Sequence, residues 1–169
     1  PVAFYVYKFL VSSEQYDSDK EGYKMVKHIF NSKITWPGGR DAVGDIQTGG
    51  LQEKISIPAS MDGPGLGTNP DEMLLGAAST CYTITLAALL ERNQIDAVAF
   101  HVDSEATVSV EKGVFKYEKI IHSVYLKVAK GTDLEKTRRL AVYAENSCMI
   151  SRALQGNVVI EMKLKLEDE

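Results

Sequence analysis

At 169 residues, 44% hydrophobic and 25% charged, the chain has the length of one domain and the composition of an ordinary water-soluble globular protein, not of a disordered or fibrous one. Its formal net charge of −4, with no basic block, argues against a nucleic-acid partner. No charged-then-apolar leader opens the chain, so a single domain over residues 1–169 in the cytoplasm is expected.

Residues 2–11 are rich in aromatic and β-branched side chains, the composition of a strand. A polar linker over 12–21 leads to a second candidate strand within 23–36. Two loops punctuated by glycine and proline follow, over 36–41 and 58–69, with a short strand predicted between them at 51–57. Asn69, Pro70, Asp71 and Glu72 then signal a helix start. Asn caps, Pro suits the first helical position, and two carboxylates face the positive end of the dipole. No residue from 73 to 90 is charged, and the helix is predicted to end near Asn93. Length alone would let such a span cross a membrane. Gly76, Ser79, Thr80, Thr83 and Thr85, without a basic flanking cluster or a second span, favour the central core helix of a soluble protein, with faces free for a second subunit. No membrane partner is expected.

Further on, Val98, Phe100, Val102, Ala106, Val108 and Val110 alternate with polar residues, as in a half-buried strand. Lys112 and Gly113 turn the chain into a second strand ending in Val124, Leu126 and Val128, so an antiparallel hairpin is predicted. Thr132 through Glu135 matches a capping box, and Thr137, Leu140, Ala141, Ala144 and Cys148 share one face of the helix it opens. A last strand alternates Val158, Ile160, Met162, Leu164 and Leu166 with charged residues. This order of elements makes an α+β fold, an antiparallel sheet packed on a long central apolar helix.

Few side chains suggest chemistry. His28, His101 and His122 are scattered, and His101 falls on the polar side of its strand, so solvated or hydrogen-bonded imidazoles are expected. No Cys/His cluster has metal-ligand spacing, and no metal or other cofactor is predicted. Gly63, Gly65 and Gly67 precede a helix as in phosphate-binding loops. The loop lacks a lysine, however, and Asp62, Asp71 and Glu72 would repel a phosphate.

Cys81 and Cys148 lie 67 residues apart. In a reducing compartment they are inert core thiols or a redox pair, and residue type alone favours the inert reading. Cys81 stands 12 residues beyond Asn69, about 18 Å along the axis and out of reach of the helix dipole. Its apolar surroundings would raise the thiol pKa unless a cation is brought in. Arg40, alone in a Gly-rich loop, is the candidate. Half-ionising a thiol of pKa about 8.5 at pH 7 takes about 2 kcal/mol. An arginine at about 4 Å offers about 4 kcal/mol at an effective dielectric of about 20, which leaves a margin for desolvation. Ser147 can cap a short helix over 148–155, placing Cys148 in a first turn where the dipole lowers a thiol pKa, with Gly156 and Asn157 ending it. Two thiols with a source of activation favour redox chemistry over inert packing.

Three runs carry a resemblance. They are Trp36-Pro37-Gly38-Gly39-Arg40-Asp41; Gly67-Thr68-Asn69-Pro70-Asp71-Glu72-Met73-Leu74 leading to Ala77-Ala78-Ser79-Thr80-Cys81; and Cys148-Met149-Ile150-Ser151-Arg152-Ala153-Leu154 with Gly156-Asn157. In that order and spacing they resemble the OsmC/Ohr family, the osmotically inducible and organic hydroperoxide resistance proteins. The likeness spans about residues 23–167 and leaves 1–22 outside. It implies an intertwined homodimer that reduces organic hydroperoxides, with Cys81 as peroxidatic thiol, Cys148 as resolving thiol and Arg40 as activating guanidinium. It also implies a glutamate paired with that arginine, where this chain has Asp71 beside Glu72, so either carboxylate can serve. Met149 stands where the family usually has proline, a departure that bears on how Cys148 swings toward Cys81.

On this reading the Cys81 thiolate attacks the distal oxygen of an organic hydroperoxide, giving a sulfenic acid and an alcohol. Cys148 then condenses with the sulfenic acid to form a disulfide. An external dithiol reopens it, as dihydrolipoyl groups on carrier proteins do for Ohr-like relatives. The apolar setting of Cys81 favours alkyl or fatty-acid peroxides over hydrogen peroxide. Two other readings stay open: a non-catalytic redox-stress sensor or binding protein that uses the same thiols as a slow switch, and a structural dimer with inert thiols. Asp71 and Cys81 lie ten residues apart on one helix, about 15 Å along its axis and about 80° around it. A carboxylate at 71 or 72 is therefore expected to serve the Cys81 of the other subunit across a two-fold axis.

Overall fold

The computed structural model describes residues 26–169, so the strand expected at 2–11 and the linker at 12–21 lie outside the described residues. Strands β1 (Ser32–Thr35), β2 (Gly44–Thr48) and β3 (Leu51–Ile55) form an antiparallel meander. Among the described residues of the strand predicted within 23–36, the four that β2 pairs form β1. β2 has no counterpart among the predicted strands. Of its five residues only Ile46 buries a large apolar side chain, so no alternation marks it. The turn at Gly49 and Gly50, with Gly49 at φ 55°, is what pairs it with β3.

Beyond a single 3-10 turn at Ala59–Met61, the loop is tied back to β3. The Ser56 amide donates to the Thr68 carbonyl (3.1 Å) and the Thr68 amide to that of Lys54 (2.9 Å). Gly67 permits this approach: its φ is 70°, and a Cβ there would collide with the Lys54 carbonyl.

Helix α1 (Pro70–Arg92) starts at the predicted cap. The Asn69 side chain accepts from the Glu72 amide at 3.0 Å, a contact worth about 1 kcal/mol. Ala78, Tyr82, Leu86 and Leu90 recur every four residues and are buried against the rest of the chain. On the opposite side Ala77, Thr80, Ile84 and Ala87 are exposed, Ile84 at 64%.

Strands β4 (Ala97–Glu111) and β5 (Val114–Val128) form the predicted hairpin about Lys112 and Gly113. Helix α2 (Leu134–Ser147) begins one residue later than the capping-box frame implies. Asp133 is the cap, accepting from the Lys136 amide at 2.9 Å, because the Thr132 hydroxyl is spent on the Ala129 carbonyl. After α3 (Met149–Leu154), β6 (Val159–Asp168) pairs with β5 in parallel, from Lys119↔Val159 to Val128↔Asp168. The second sheet, β4-β5-β6, is thus mixed, because the chain crosses over through two helices before it returns. The α+β class holds. Leu86, Leu90, Val124, Leu126, Ala141 and Ala144 are among the side chains that join α1, α2 and this sheet in one core.

Candidate functional site

Helix α1 and the α2–α3 junction bring the two thiols together. Cys81 sits one residue before buried Tyr82, at the edge of the core stripe, and is half-buried. Cys148 is the last residue of the buried face of α2 and is 0% exposed. It ends one helix and caps the next: its amide donates to the Ala144 carbonyl (2.9 Å) and its carbonyl accepts from the Arg152 amide (3.0 Å). Both thiols are free, and they lie close enough to shift each other's acidity.

The two sulfurs differ in acidity. Burial pushes the Cys81 thiol up and is the largest single influence. The Cys148 thiol, the amides of Ile150 and Met149 and the Thr85 hydroxyl together outweigh it, so Cys81 ends below the ordinary thiol range. Cys148 is raised by burial and by the nearby Cys81, against smaller opposing contacts from Ser151 and Ile150. This corrects the expected activation of Cys148 by a helix start. The Ser147 hydroxyl donates back to Tyr143 (2.8 Å) and Ala144 (3.3 Å) and caps nothing, and the Ile150 and Ser151 amides that favour the Cys148 thiolate are outweighed by burial and by Cys81.

Arg40 lies elsewhere in the same chain. Its Nη1 donates to Asp41 Oδ1 (2.9 Å) and to the Asp62 carbonyl (2.8 Å), and its Nη2 to the Met61 carbonyl (2.7 Å). The expected pair with Asp71 or Glu72 is not formed within one chain. Asp41 takes that place, and a Glu72 oxygen accepts from the Thr68 hydroxyl at 2.8 Å. Arg40 and Asp71 do share a cavity of about 450 Å³, otherwise mostly apolar and lined by Trp36, Ile57, Met61 and Phe115. Burial first, then the Asp71 charge, raises the Tyr117 hydroxyl, which donates to the Asp71 carbonyl at 3.2 Å. Within one chain, then, the thiols form one group and Arg40 with Asp71 another.

Four polar residues near the thiols were not singled out for these roles by sequence: Thr85, Ser151, Glu145 and His122. Thr85 is one turn beyond Cys81, a spacing readable from the helix. His122 also left a signal, since Ile120, His122, Val124, Leu126 and Val128 form the inward phase of β5 and all are buried. Its Nδ1 lies 2.7 Å from the Ser104 hydroxyl, and its ring stacks on Tyr82 with centroids 5.5 Å apart. Burial lowers the His122 pKa, opposed in part by the Glu145 carboxylate. His101, by contrast, is exposed and stacks on Tyr125.

Residues 63–163 match the OsmC-like protein family. A Bacillus subtilis relative, the uncharacterized protein YmaD, is 53% identical over 146 residues, spanning 85% of this chain and 97% of its own. The organic hydroperoxide resistance protein OhrB of Bacillus subtilis is 29% identical over 143 residues, 81% of this chain and 98% of that one. OhrB's crystal structure matches with a TM-score of 0.59 at 26% identity, covering 80% and 98% of the two chains. An OsmC-like protein of unknown function from Vibrio cholerae shares the fold, with a TM-score of 0.71 at 12% identity over 82% of this chain and 100% of its own.

Proposed function

This chain belongs to the OsmC-like protein family, one linked to organic hydroperoxide resistance, and on that premise we propose that it is a cytoplasmic thiol peroxidase acting on organic hydroperoxides. The observation that carries the reading is that two free thiols from α1 and the α2–α3 junction lie close enough to act on each other, with Cys81 the more acidic. The thiolate is the nucleophile, so the more acidic sulfur meets the peroxide. Cys81 attacks the distal oxygen; the O–O bond breaks, the alcohol leaves with a proton, and Cys81 becomes a sulfenic acid. Cys148, close by, displaces the hydroxyl as water and forms the Cys81–Cys148 disulfide. An external dithiol then reduces it, and the lipoylated carriers implied by the Ohr-like resemblance are the first to try.

Arg40 and a carboxylate at 71 or 72 complete the site from a second copy of the chain. The exposed stripe of Ala77, Thr80, Ile84 and Ala87 supports this arrangement, being uncharged, narrow and suited to close packing against the same face of a partner helix. An antiparallel crossing there brings the start of one α1 toward the Cys81 of the other. The apolar cavity beside Arg40 then has the chemistry to hold an alkyl chain, with the guanidinium at the peroxide end.

The test is steady-state turnover with an excess of dithiol. An organic hydroperoxide such as cumene hydroperoxide should be consumed in many equivalents and faster than hydrogen peroxide. A protein that stops after one equivalent is a sensor, not a peroxidase, and faster turnover of hydrogen peroxide removes the apolar-substrate assignment.

A further inference from the structure

The cavity that Arg40 and Asp71 share is walled mainly by apolar side chains from separate elements, two aromatic rings among them. Trp36, the chain's one tryptophan, directly follows β1 and is held at two places. Its Nε1 donates to the Gly39 carbonyl at 3.2 Å. Its ring lies so close to the Gly44 backbone that a Cβ there would come within 2.6 Å of it. Phe115 reaches the same cavity from the start of β5. It shares a strand face with Tyr117, whose hydroxyl donates to the Asp71 carbonyl at 3.2 Å, so this end of the hairpin is fastened to the start of α1. Pro58 and Pro70, with φ fixed by their rings, stiffen two further parts of the wall. The Arg40 guanidinium donates to the Met61 and Asp62 carbonyls and so ties its own loop to the turn at Ala59–Met61. Trp36 is 41% exposed and Phe115 58%, so neither ring is used up by the core.

An apolar cavity of about 150 Å³ suffices for one benzene ring, so about 450 Å³ has room for a ring and a branched arm. Aromatic rings that meet edge to face or offset gain free energy beyond the apolar area they bury, because the positive edge of one meets the negative face of the other. Met61 adds a polarizable thioether, which also favours ring contacts. We propose that Trp36 and Phe115 make this cavity select hydroperoxides whose organic group is an aromatic ring over saturated ones of the same shape. The ring lies among the apolar side chains, and the reactive end points to Arg40. That the ring belongs to a substrate rests on the peroxidase reading; that the cavity binds it does not.

Cumyl alcohol and its cyclohexyl counterpart, the products of two matched hydroperoxides, read this selectivity without any chemistry. The cyclohexyl compound exposes the larger apolar area, so a plain hydrophobic pocket favours it and the sign of the preference is decisive. Titrated into the native protein and followed by Trp36 fluorescence, cumyl alcohol should bind about fivefold more tightly, the equivalent of one ring contact. In Phe115→Leu, which stays apolar but loses the ring, the preference should vanish or reverse. With excess dithiol, the kcat/KM ratio of cumene hydroperoxide to its cyclohexyl counterpart should favour the aromatic ring to the same degree, and Trp36→Leu should lower it. That ratio, unlike either rate alone, is not moved by a general loss of activity. Equal or tighter binding of the cyclohexyl alcohol to the native protein overturns the proposal, as does a preference that Phe115→Leu leaves intact. If that variant does not fold, an unchanged ratio in Trp36→Leu overturns it equally. No Trp36 response to either alcohol means that another part of the protein fills the cavity, which also overturns it. Failure of the peroxidase reading looks different: cumyl alcohol still binds selectively while no hydroperoxide is consumed.

Discussion

Cys81 and Cys148 act on each other's acidity in opposite senses, Cys148 drawing the Cys81 thiol down and Cys81 pushing the Cys148 thiol up. The difference follows from the surroundings. Cys81 receives the amides of Met149 and Ile150 and the Thr85 hydroxyl, all donors that favour an anion. Cys148 is more deeply enclosed. In the proposed cycle, this order makes Cys81 the sulfur that attacks and Cys148 the one that waits.

From that order, Cys81→Ser is expected to abolish peroxide consumption. Cys148→Ser should keep the first oxidation and accumulate a sulfenic acid on Cys81 that dimedone labels. Labelling of Cys148 in a Cys81→Ser protein, with none on Cys81 in the reciprocal variant, would reverse the assignment.

Thr85→Val removes one donor to the Cys81 sulfur while keeping its shape. A hydrogen bond worth about 1 kcal/mol corresponds to about a fivefold change in thiolate fraction below the pKa. The alkylation rate of Cys81 at about pH 6 should fall by that factor and recover at alkaline pH, where the thiol ionises regardless. A rate that stays level across the pH range removes Thr85 from the activation of Cys81.

Arg40→Ala is expected to raise the Cys81 pKa and slow its oxidation by at least about tenfold, although within one chain Arg40 is held by Asp41, Met61 and Asp62. In the proposed dimer the effect passes between subunits. Mixed dimers decide this. Cys81→Ser subunits refolded with subunits carrying Asp71→Ala and Glu72→Ala should regain activity if the carboxylate serves the partner's thiol. No gain over the parents assigns it to its own chain.

His122 should make stability depend on pH. Its folded pKa is depressed by burial, so its contribution is complete above its ordinary value of about 6.5 and is lost as pH falls through the lower folded value. Between about pH 7 and about pH 5 the urea midpoint of the native protein should drop more than that of His122→Gln. Equal drops would show that His122 does not titrate in this window.

Local patterns settled much of this protein before any contact was known. The Asn69–Pro70 cap, the uncharged run that became α1, the turn at Lys112 and Gly113 and the alternation of β6 all rest on interactions within a few residues, which sequence records directly. β2 and the parallel pairing of β6 do not. A five-residue strand with one large buried side chain has little pattern of its own, and strand direction depends on how α2 and α3 cross back over the sheet. The thiol pair divides the same way. Candidate cysteines can be picked by residue type and motif, but the relative acidity of Cys81 and Cys148 depends on how deeply each is buried and on which donors packing sets against it. Helix packing brings together atoms 67 residues apart in the chain, and only that packing decides which thiol they stabilise.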